Sequence, residues 1–295
     1  MSNINLKFYS GKDYYSDGDI EDKLLDIVKS DKDIDEVLGK DNRWPILYHL
    51  SPIRQNIINW YPFKKDSSLL EIGGGCGAIT EVFCKNLKDV KVVELSLKRS
   101  SINLERNKQY SNLEIIVGNL NNIKFTQKFD YITLIGVLEY AGSFTYTKNP
   151  YKDFLIKIKK LLKPNGKLII AIENRYGLKY FAGAKEDHTG KEFDSITGYI
   201  GNDSVRTFGK KELEDLLSNS GYSLQEFYYP HPDYKMPFEI YSDYNLPTED
   251  TLLSNAPNFD NDRYQLFSEL EAFKGIIKNN QFPFFANSFL VVCGE

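Results

Sequence analysis

The stretch Leu69–Cys84 reads LLEIGGGCGAITEVFC. A short apolar run carries an acid, Glu71, and is followed by four glycines within five residues, Gly73, Gly74, Gly75 and Gly77. Apolar residues then recur at Ile79, Val82 and Phe83, at helical spacing. Strand, glycine turn and helix in this order predict a βα unit whose turn holds a ligand against bare backbone. Two ligand classes fit. Gly73, Gly75 and Ala78 satisfy the dinucleotide pattern G-x-G-x-x-G/A, and Glu71, Gly73, Gly75 and Gly77 satisfy the acid-x-G-x-G-x-G pattern of a methyl-donor site.

Outward from this unit the rhythm continues. Strands are predicted at Leu69–Ile72, Val90–Leu95, Leu113–Val117 and Phe129–Ile135, and a long one at Gly166–Glu173. Helices are predicted at Ala78–Leu87, Leu97–Tyr110 and from Pro150, with Pro164-Asn165-Gly166 as stop and turn. Alternating β and α means a parallel sheet covered on both faces. Upstream, residues 1–65 read as a helical and irregular cap. Asp19 is its first predicted N-cap, and Ser51-Pro52 a second helix start. Downstream come a helix at Gly209–Ser220, a strand at Tyr222–Tyr229, a helix near Gln265–Ile277 and a last strand at Phe285–Cys293. Residues 66–295 are read as one domain with insertions at about 174–208 and 230–284.

Bulk properties narrow the function. The chain has 295 residues and a net charge of −4, which argues against nucleic acid as a partner. Cys76, Cys84 and Cys293 are odd in number and not spaced for a metal, so no metal is expected and a reduced, cytoplasmic setting is. The N-terminus lacks the apolar core of a signal peptide, and no run approaches the roughly 18 apolar residues of a membrane span.

The ordered set LLEIGGGCG, KVVELS, IIVGNL, FDYITLIGVLEYA and LLKPNGKLIIAIEN resembles the class I S-adenosylmethionine-dependent methyltransferases over about Ser67–Asn174. WPILYHLSPIRQNIINWYPF, ENRYGLKYFAGAKEDHTG, VRTFGKKELEDLLSNSGY and YPHPDYKMP resemble a bacterial subgroup associated with surface-polysaccharide biosynthesis. The resemblance implies a Rossmann-like seven-stranded, mostly parallel α/β sheet with the last strand antiparallel. It implies S-adenosylmethionine as cofactor and S-adenosylhomocysteine as product. The acceptor it implies is a small molecule or glycan precursor, methylated at oxygen. The cofactor roles then fall on Glu71 (loop or donor amino end), Gly73 and Gly75 (methionine part), and Glu94 (ribose hydroxyls). Leu95 and Asn119 fall beside the adenine, and Ile135 and Gly136 beside the sulfonium. Two other readings stay open: a dinucleotide-binding oxidoreductase, and a non-catalytic methyltransferase-like binding module.

Methyl transfer to a hydroxyl needs alignment and removal of a proton. Candidates lie past the fourth and fifth strands of the repeat: Glu139, Tyr140, Glu173, Asn174, Arg175, Glu186, Asp187 and His188. His188 is the first choice of base because its ordinary pKa suits neutral pH, with Glu186 or Asp187 to orient the ring. Its structural alternative is a loop histidine that holds water or substrate. Tyr140 lines the donor pocket, senses the acceptor or simply packs. Arg175 meets an anionic acceptor or pairs with Glu139 or Asp187. His49 reads as core, and His231, between two prolines, as a turn residue. The aromatic run Phe227–Tyr244 reads as an acceptor wall or a satellite core, and the lysines of Lys157–Lys163 as a solvated helix face.

Overall fold

Ser68–Ile72 is buried at every position, the mark of a strand covered on both faces. In the computed structural model, which describes residues 3–13, 18–30, 32–201, 204–252 and 262–295, this strand is the second of nine. The part of the predicted 230–284 insertion from 253 to 261 lies outside the described residues. The chain divides into two compact units, Met1–Leu134 with Leu161–Lys167, and Ile135–Lys160 with Leu168–Glu295.

The first unit holds five strands: β1 (Asn3–Phe8), β2 (Ser68–Ile72), β3 (Asp89–Glu94), β4 (Leu113–Gly118) and β5 (Phe129–Ile135), the last as far as Leu134. Their order is β1-β4-β3-β2-β5, with every pair parallel. Parallel neighbours need crossovers. Helices Thr80–Asn86 and Leu97–Asn107 supply two of them. Ser96 caps the second helix by accepting from the Arg99 amide, and Asp13 accepts from the Leu97 and Lys98 amides at 2.8 and 3.2 Å.

Residues 1–65 differ from the expectation in three ways. Asn3–Phe8 is a strand beside β4, and its N-I-N-L-K-F alternation is a period of two. Asp19 makes no side-chain cap, because its own backbone is already helical (φ −64°, ψ −17°). Asp33 instead caps Ile34–Lys40 by accepting from the Asp35 amide. Ser51 does cap, but the turn that follows, Pro52–Ile57, is 3-10 and not α. Leu24 and Ile27 of helix Ile20–Lys29 and Ile46 and Leu50 of helix Trp44–Leu50 form one apolar cluster with Ile102 and with Cys76 of the glycine turn. His49 is buried there, as expected of a core histidine.

The second unit contains β6 (Leu162–Glu173, from Leu168 onward), β7 (Leu224–His231), β8 (Glu239–Ser242) and β9 (Ser288–Gly294). They are ordered β6-β9-β7-β8 with antiparallel pairs throughout. The last strand is antiparallel, as expected, but the strand count is nine and not seven. The additions are β1 and β8, short strands in segments whose polar or proline-rich composition hides them. β6 also starts earlier than predicted. It takes in Pro164-Asn165-Gly166, with Asn165 left-handed at φ 63°. His231 is a buried strand residue opposite Glu239, not a turn residue.

The aromatic run divides. Phe227 and Tyr229 pack their rings on Phe289, and Tyr229 also packs on Phe282. Tyr234 and Met236 are buried, while Tyr244 is 92% exposed. Phe227, Tyr229 and Tyr234 are therefore core, while Phe238 and Tyr244 are exposed. Phe289→Ala removes the ring between Phe227 and Tyr229 and should cost about 3–5 kcal/mol of stability in urea unfolding. A loss under about 1 kcal/mol would mean that the aromatic cluster does not hold this unit together.

Candidate functional site

In the first unit, Gly73, Leu95 and Asn119 follow the C-terminal ends of the adjacent parallel strands β2, β3 and β4, where ligands of such sheets bind. Gly75 and Gly77 are left-handed, at φ 50° and 78°. A Cβ on Gly75 would meet nothing within 4 Å, so backbone conformation alone calls for glycine there. A Cβ on Gly77 would lie 2.6 Å from Asn103 Oδ1. The Glu94 carboxylate organises the turn. The Gly75 amide donates to its Oε2 at 2.8 Å, and the Leu95 and Ser96 amides donate to Oε1 at 2.7 and 3.0 Å. A carboxylate has about four lone-pair sites. Three are used, so Oε2 keeps capacity for a hydroxyl donor. Asn119 Oδ1 accepts from the Asn121 amide at 2.8 Å and closes a local turn.

Glu71 is buried beneath the turn. Thr80 Oγ1 donates to its Oε2 at 2.6 Å, Asn103 Nδ2 donates to Thr80 Oγ1 at 3.0 Å, and Asn107 Nδ2 donates to Asn103 Oδ1 at 3.0 Å. Burial pushes the Glu71 carboxyl up to about 7, the Thr80 bond opposing it and the Glu94 charge adding to it. The Glu71 bond ties β2 to Thr80, the first residue of the helix that follows the turn. The helix after the turn begins at Thr80, two residues later than predicted.

The second unit assembles a different set. Gly136, left-handed at φ 68°, follows β5, and its amide donates to Ala171 O at 2.9 Å. A Cβ there would lie 2.9 Å from Tyr234 Oη. Glu139 and Tyr140 occupy the turn Leu138–Tyr140, Glu173 ends β6, and His188 lies in the insertion that follows. His188 Nδ1 is 3.1 Å from Tyr140 Oη, and Nε2 is 3.5 Å from Glu173 Oε2. The two rings meet edge to face. Glu173 turns its other oxygen, Oε1, to Lys235 Nζ at 3.1 Å and to the Tyr234 hydroxyl at 3.3 Å.

Neither predicted acid orients the His188 ring. Glu186 accepts from the His188 and Thr189 backbone amides at 2.8 and 2.7 Å, and so shapes the turn. Asp187 pairs with Lys179 at 3.0 Å and with Lys235. Asn174 Nδ2 donates to Phe284 O and Ala286 O. Arg175 meets Glu212 at 3.0 Å and donates to Ser195 O, so it pairs with neither Glu139 nor Asp187. Lys179, Lys235 and Tyr234 were not singled out from sequence. YPHPDYKMP contains two of them, but only tertiary packing brings them to Glu173.

Burial shapes the charges of this cluster. It works to lower the His188 pKa, but the facing Glu173, with Glu139 and Glu186, lifts it to about 9. Burial raises Glu173, yet Lys235 and His188 hold it down at about 2. Burial and then the Glu173 charge lift Glu139 to about 8. His188 therefore rests as an imidazolium at neutral pH, unlike the unperturbed ring that its sequence context suggests.

Residues 70–168 match the family described as "Methyltransferase domain". Over 202 residues the chain is 23% identical to a ubiquinone biosynthesis O-methyltransferase of Rickettsia bellii, covering 64% of this chain and 77% of that protein. Over 84 residues it is 30% identical to ribosomal RNA small subunit methyltransferase A of Syntrophus aciditrophicus, 28% of each chain. The fold is similar to that of phosphoethanolamine N-methyltransferase 1 of Haemonchus contortus, solved with phosphoethanolamine and S-adenosylhomocysteine. That match has a TM-score of 0.51 at 11% identity and covers 93% of this chain and 48% of that one. The chain thus spans about half of the Haemonchus protein and under a third of the Syntrophus one. Residues 70–168 are thus similar to a methyltransferase domain, a class whose cofactor is S-adenosylmethionine. The dinucleotide reading of the glycine turn gives way to this one.

Glu71 yields a stability signature. Its folded pKa, about 7, lies above its ordinary 4.5, so the proton it holds favours folding below about pH 4.5. That contribution is lost as pH rises through 7. Glu71→Gln keeps the neutral shape. Its stability relative to the unaltered chain should rise by up to about 3 kcal/mol between pH 4.5 and pH 8, read by urea unfolding. A pH-independent difference would show that Glu71 is ionised when folded.

Proposed function

We propose that this S-adenosylmethionine-dependent methyltransferase methylates a hydroxyl oxygen of a small molecule or glycan precursor. The glycine turn takes the donor, and Glu173, His188 and Tyr140 are the residues that handle a hydroxyl oxygen. The donor supplies an activated methyl group on a sulfonium when bound. What carries the reading is the Glu94 clamp, a carboxylate at the end of β3 that fixes the Gly75 amide and retains acceptor capacity on Oε2.

The chain's own residues divide the work. Glu94 takes ribose hydroxyls, and Leu95, half-buried beside it, flanks the adenine with Asn119. Gly73 and Gly75 let the backbone approach the methionine part, and Ile135 and Gly136 border the sulfonium. Tyr140 and Glu173 face the His188 ring at its two nitrogens and fix its orientation. O-methylation is supported by the ubiquinone biosynthesis O-methyltransferase likeness. The glycan-precursor class is supported by the polysaccharide-subgroup motifs in the sequence. Three buried free thiols suit a reducing, cytoplasmic setting. Among the described residues no helix is long and apolar enough to cross a membrane.

Calorimetric titration with S-adenosylhomocysteine tests the donor half. Glu94→Ala should weaken binding by about 1–3 kcal/mol through loss of charge-assisted hydrogen bonds. Unchanged affinity would remove Glu94 from the ribose site. A labelled-methyl assay over nucleotide sugars and glycan intermediates tests the acceptor half. With the acceptor in hand, His188→Ala should cut turnover by about 10²-fold or more while leaving S-adenosylhomocysteine affinity unchanged. Turnover near that of the unaltered chain would take His188 out of the site, and donor binding without turnover on any acceptor would favour a binding module.

A further inference from the structure

Glu139, Glu173 and His188 come from three separate elements, yet each brings one ligand-type atom near those of the other two. These atoms lie within 4.8 Å of one another. Glu139 Oε2 is buried with no hydrogen-bond partner, and Glu173 Oε2 and His188 Nε2 have only each other, at 3.5 Å. Glu139 is 1% exposed, Glu173 is fully buried, and the His188 side chain is 7% exposed. An orphaned buried polar atom costs roughly 1–3 kcal/mol, so Glu139 Oε2, beside a loosely spaced Glu173–His188 pair, calls for a partner.

We propose that this cluster binds a divalent cation of the Mn²⁺–Zn²⁺ row. The donor set is two carboxylate oxygens and one imidazole nitrogen, which suits borderline divalent ions and not soft ones. An ion seated here displaces the protons of Glu139 and His188, and the two carboxylates then face its charge. The remaining atoms of the three side chains are already engaged in ways that aim the ligands. Glu173 gives Oε1 to Lys235 and Tyr234, which leaves Oε2 for the ion. His188 has Tyr140 at Nδ1; on loss of the imidazolium proton, an Nδ1–H donating to the Tyr140 hydroxyl leaves Nε2 to ligate. Asp187, the nearby acid, is matched by Lys179 and Lys235 and does not compete. Three protein ligands leave coordination positions open for oxygen atoms of an acceptor. This use of the ion rests on the proposed reading of the site, in which the acceptor's oxygen is handled here. With the ion seated, His188 acts as a ligand, and the ion binds and orients the acceptor's oxygen.

The test uses the full chain stripped with a chelator. MnCl₂ is titrated and free Mn²⁺ is followed by its paramagnetic resonance signal, with ZnCl₂ as competitor, and each sample is titrated in parallel with S-adenosylhomocysteine. The expected result is one saturable Mn²⁺ per chain, displaced by Zn²⁺ and lost in Glu139→Gln and in Glu173→Gln while S-adenosylhomocysteine affinity is kept. A chain that binds S-adenosylhomocysteine but takes up neither ion overturns the proposal, in favour of a water shared by the three atoms. Uptake that persists in both variants overturns it too. Mn²⁺ uptake with the expected losses but no S-adenosylhomocysteine binding leaves the cation site standing and defeats the donor reading instead. If a variant fails to fold, crystals of the unaltered chain soaked in MnCl₂ decide. An anomalous peak within about 2.5 Å of the three ligand atoms supports the site, and a peak elsewhere overturns it.

Discussion

Glu94 is the fixed point of the first unit. One carboxylate at the end of β3 gathers three amides, one from the turn after β2 and two from the start of its own turn. Without it, the left-handed backbone at Gly75 would have no electrostatic reason to curl back across the sheet edge. Beneath it runs a second tie, Glu71 to Thr80 to Asn103 to Asn107, which fastens the turn to the two helices that follow. Arg106 adds a third by donating to the carbonyls of Cys76 and His49. A glycine turn is cheap to bend and costly to hold still. These buried polar ties hold it still.

The second unit handles charge differently. It buries two carboxylates near one histidine and drives their proton affinities apart, Glu173 down under the pull of Lys235 and His188, Glu139 up under burial and the repulsion of Glu173. Such separation of like groups marks places where chemistry is done more often than places where only packing matters. The lysines are what make it possible. Lys179 lies between Asp187 and Asp233, and Lys235 between Asp187 and Glu173, so the acid-rich pocket is threaded by cations.

Much of the first unit was legible in the sequence because its determinants are local. The strand–glycine–helix order and the acid closing β3 each follow from neighbours in the chain, as does the helix starting at Pro150 in the second unit. What escaped is non-local. β1 has a readable alternation, but it sits at a polar terminus and pairs with a strand more than a hundred residues away. Asp19 and Asp33 are equally good caps on paper, and only backbone conformation separates them. For His188 the sequence named the residue and missed its company. Adjacent Glu186 and Asp187 are engaged elsewhere, and the ring meets Glu173 and Tyr140 from distant turns. Adjacency in sequence says little about which way a loop side chain points.

The bare backbone at Gly136 and the phenol of Tyr234 occupy one another's space, with an added Cβ falling 2.9 Å from the hydroxyl. This makes the pair directional under mutational drift. Tyr234 can shrink on its own, losing its bond to Glu173 but clashing with nothing. Gly136 cannot grow until Tyr234 has shrunk, and even then its left-handed backbone admits few side chains. Two positions almost a hundred residues apart thus share a single order of change, and a lineage that takes the second step loses the easy road back.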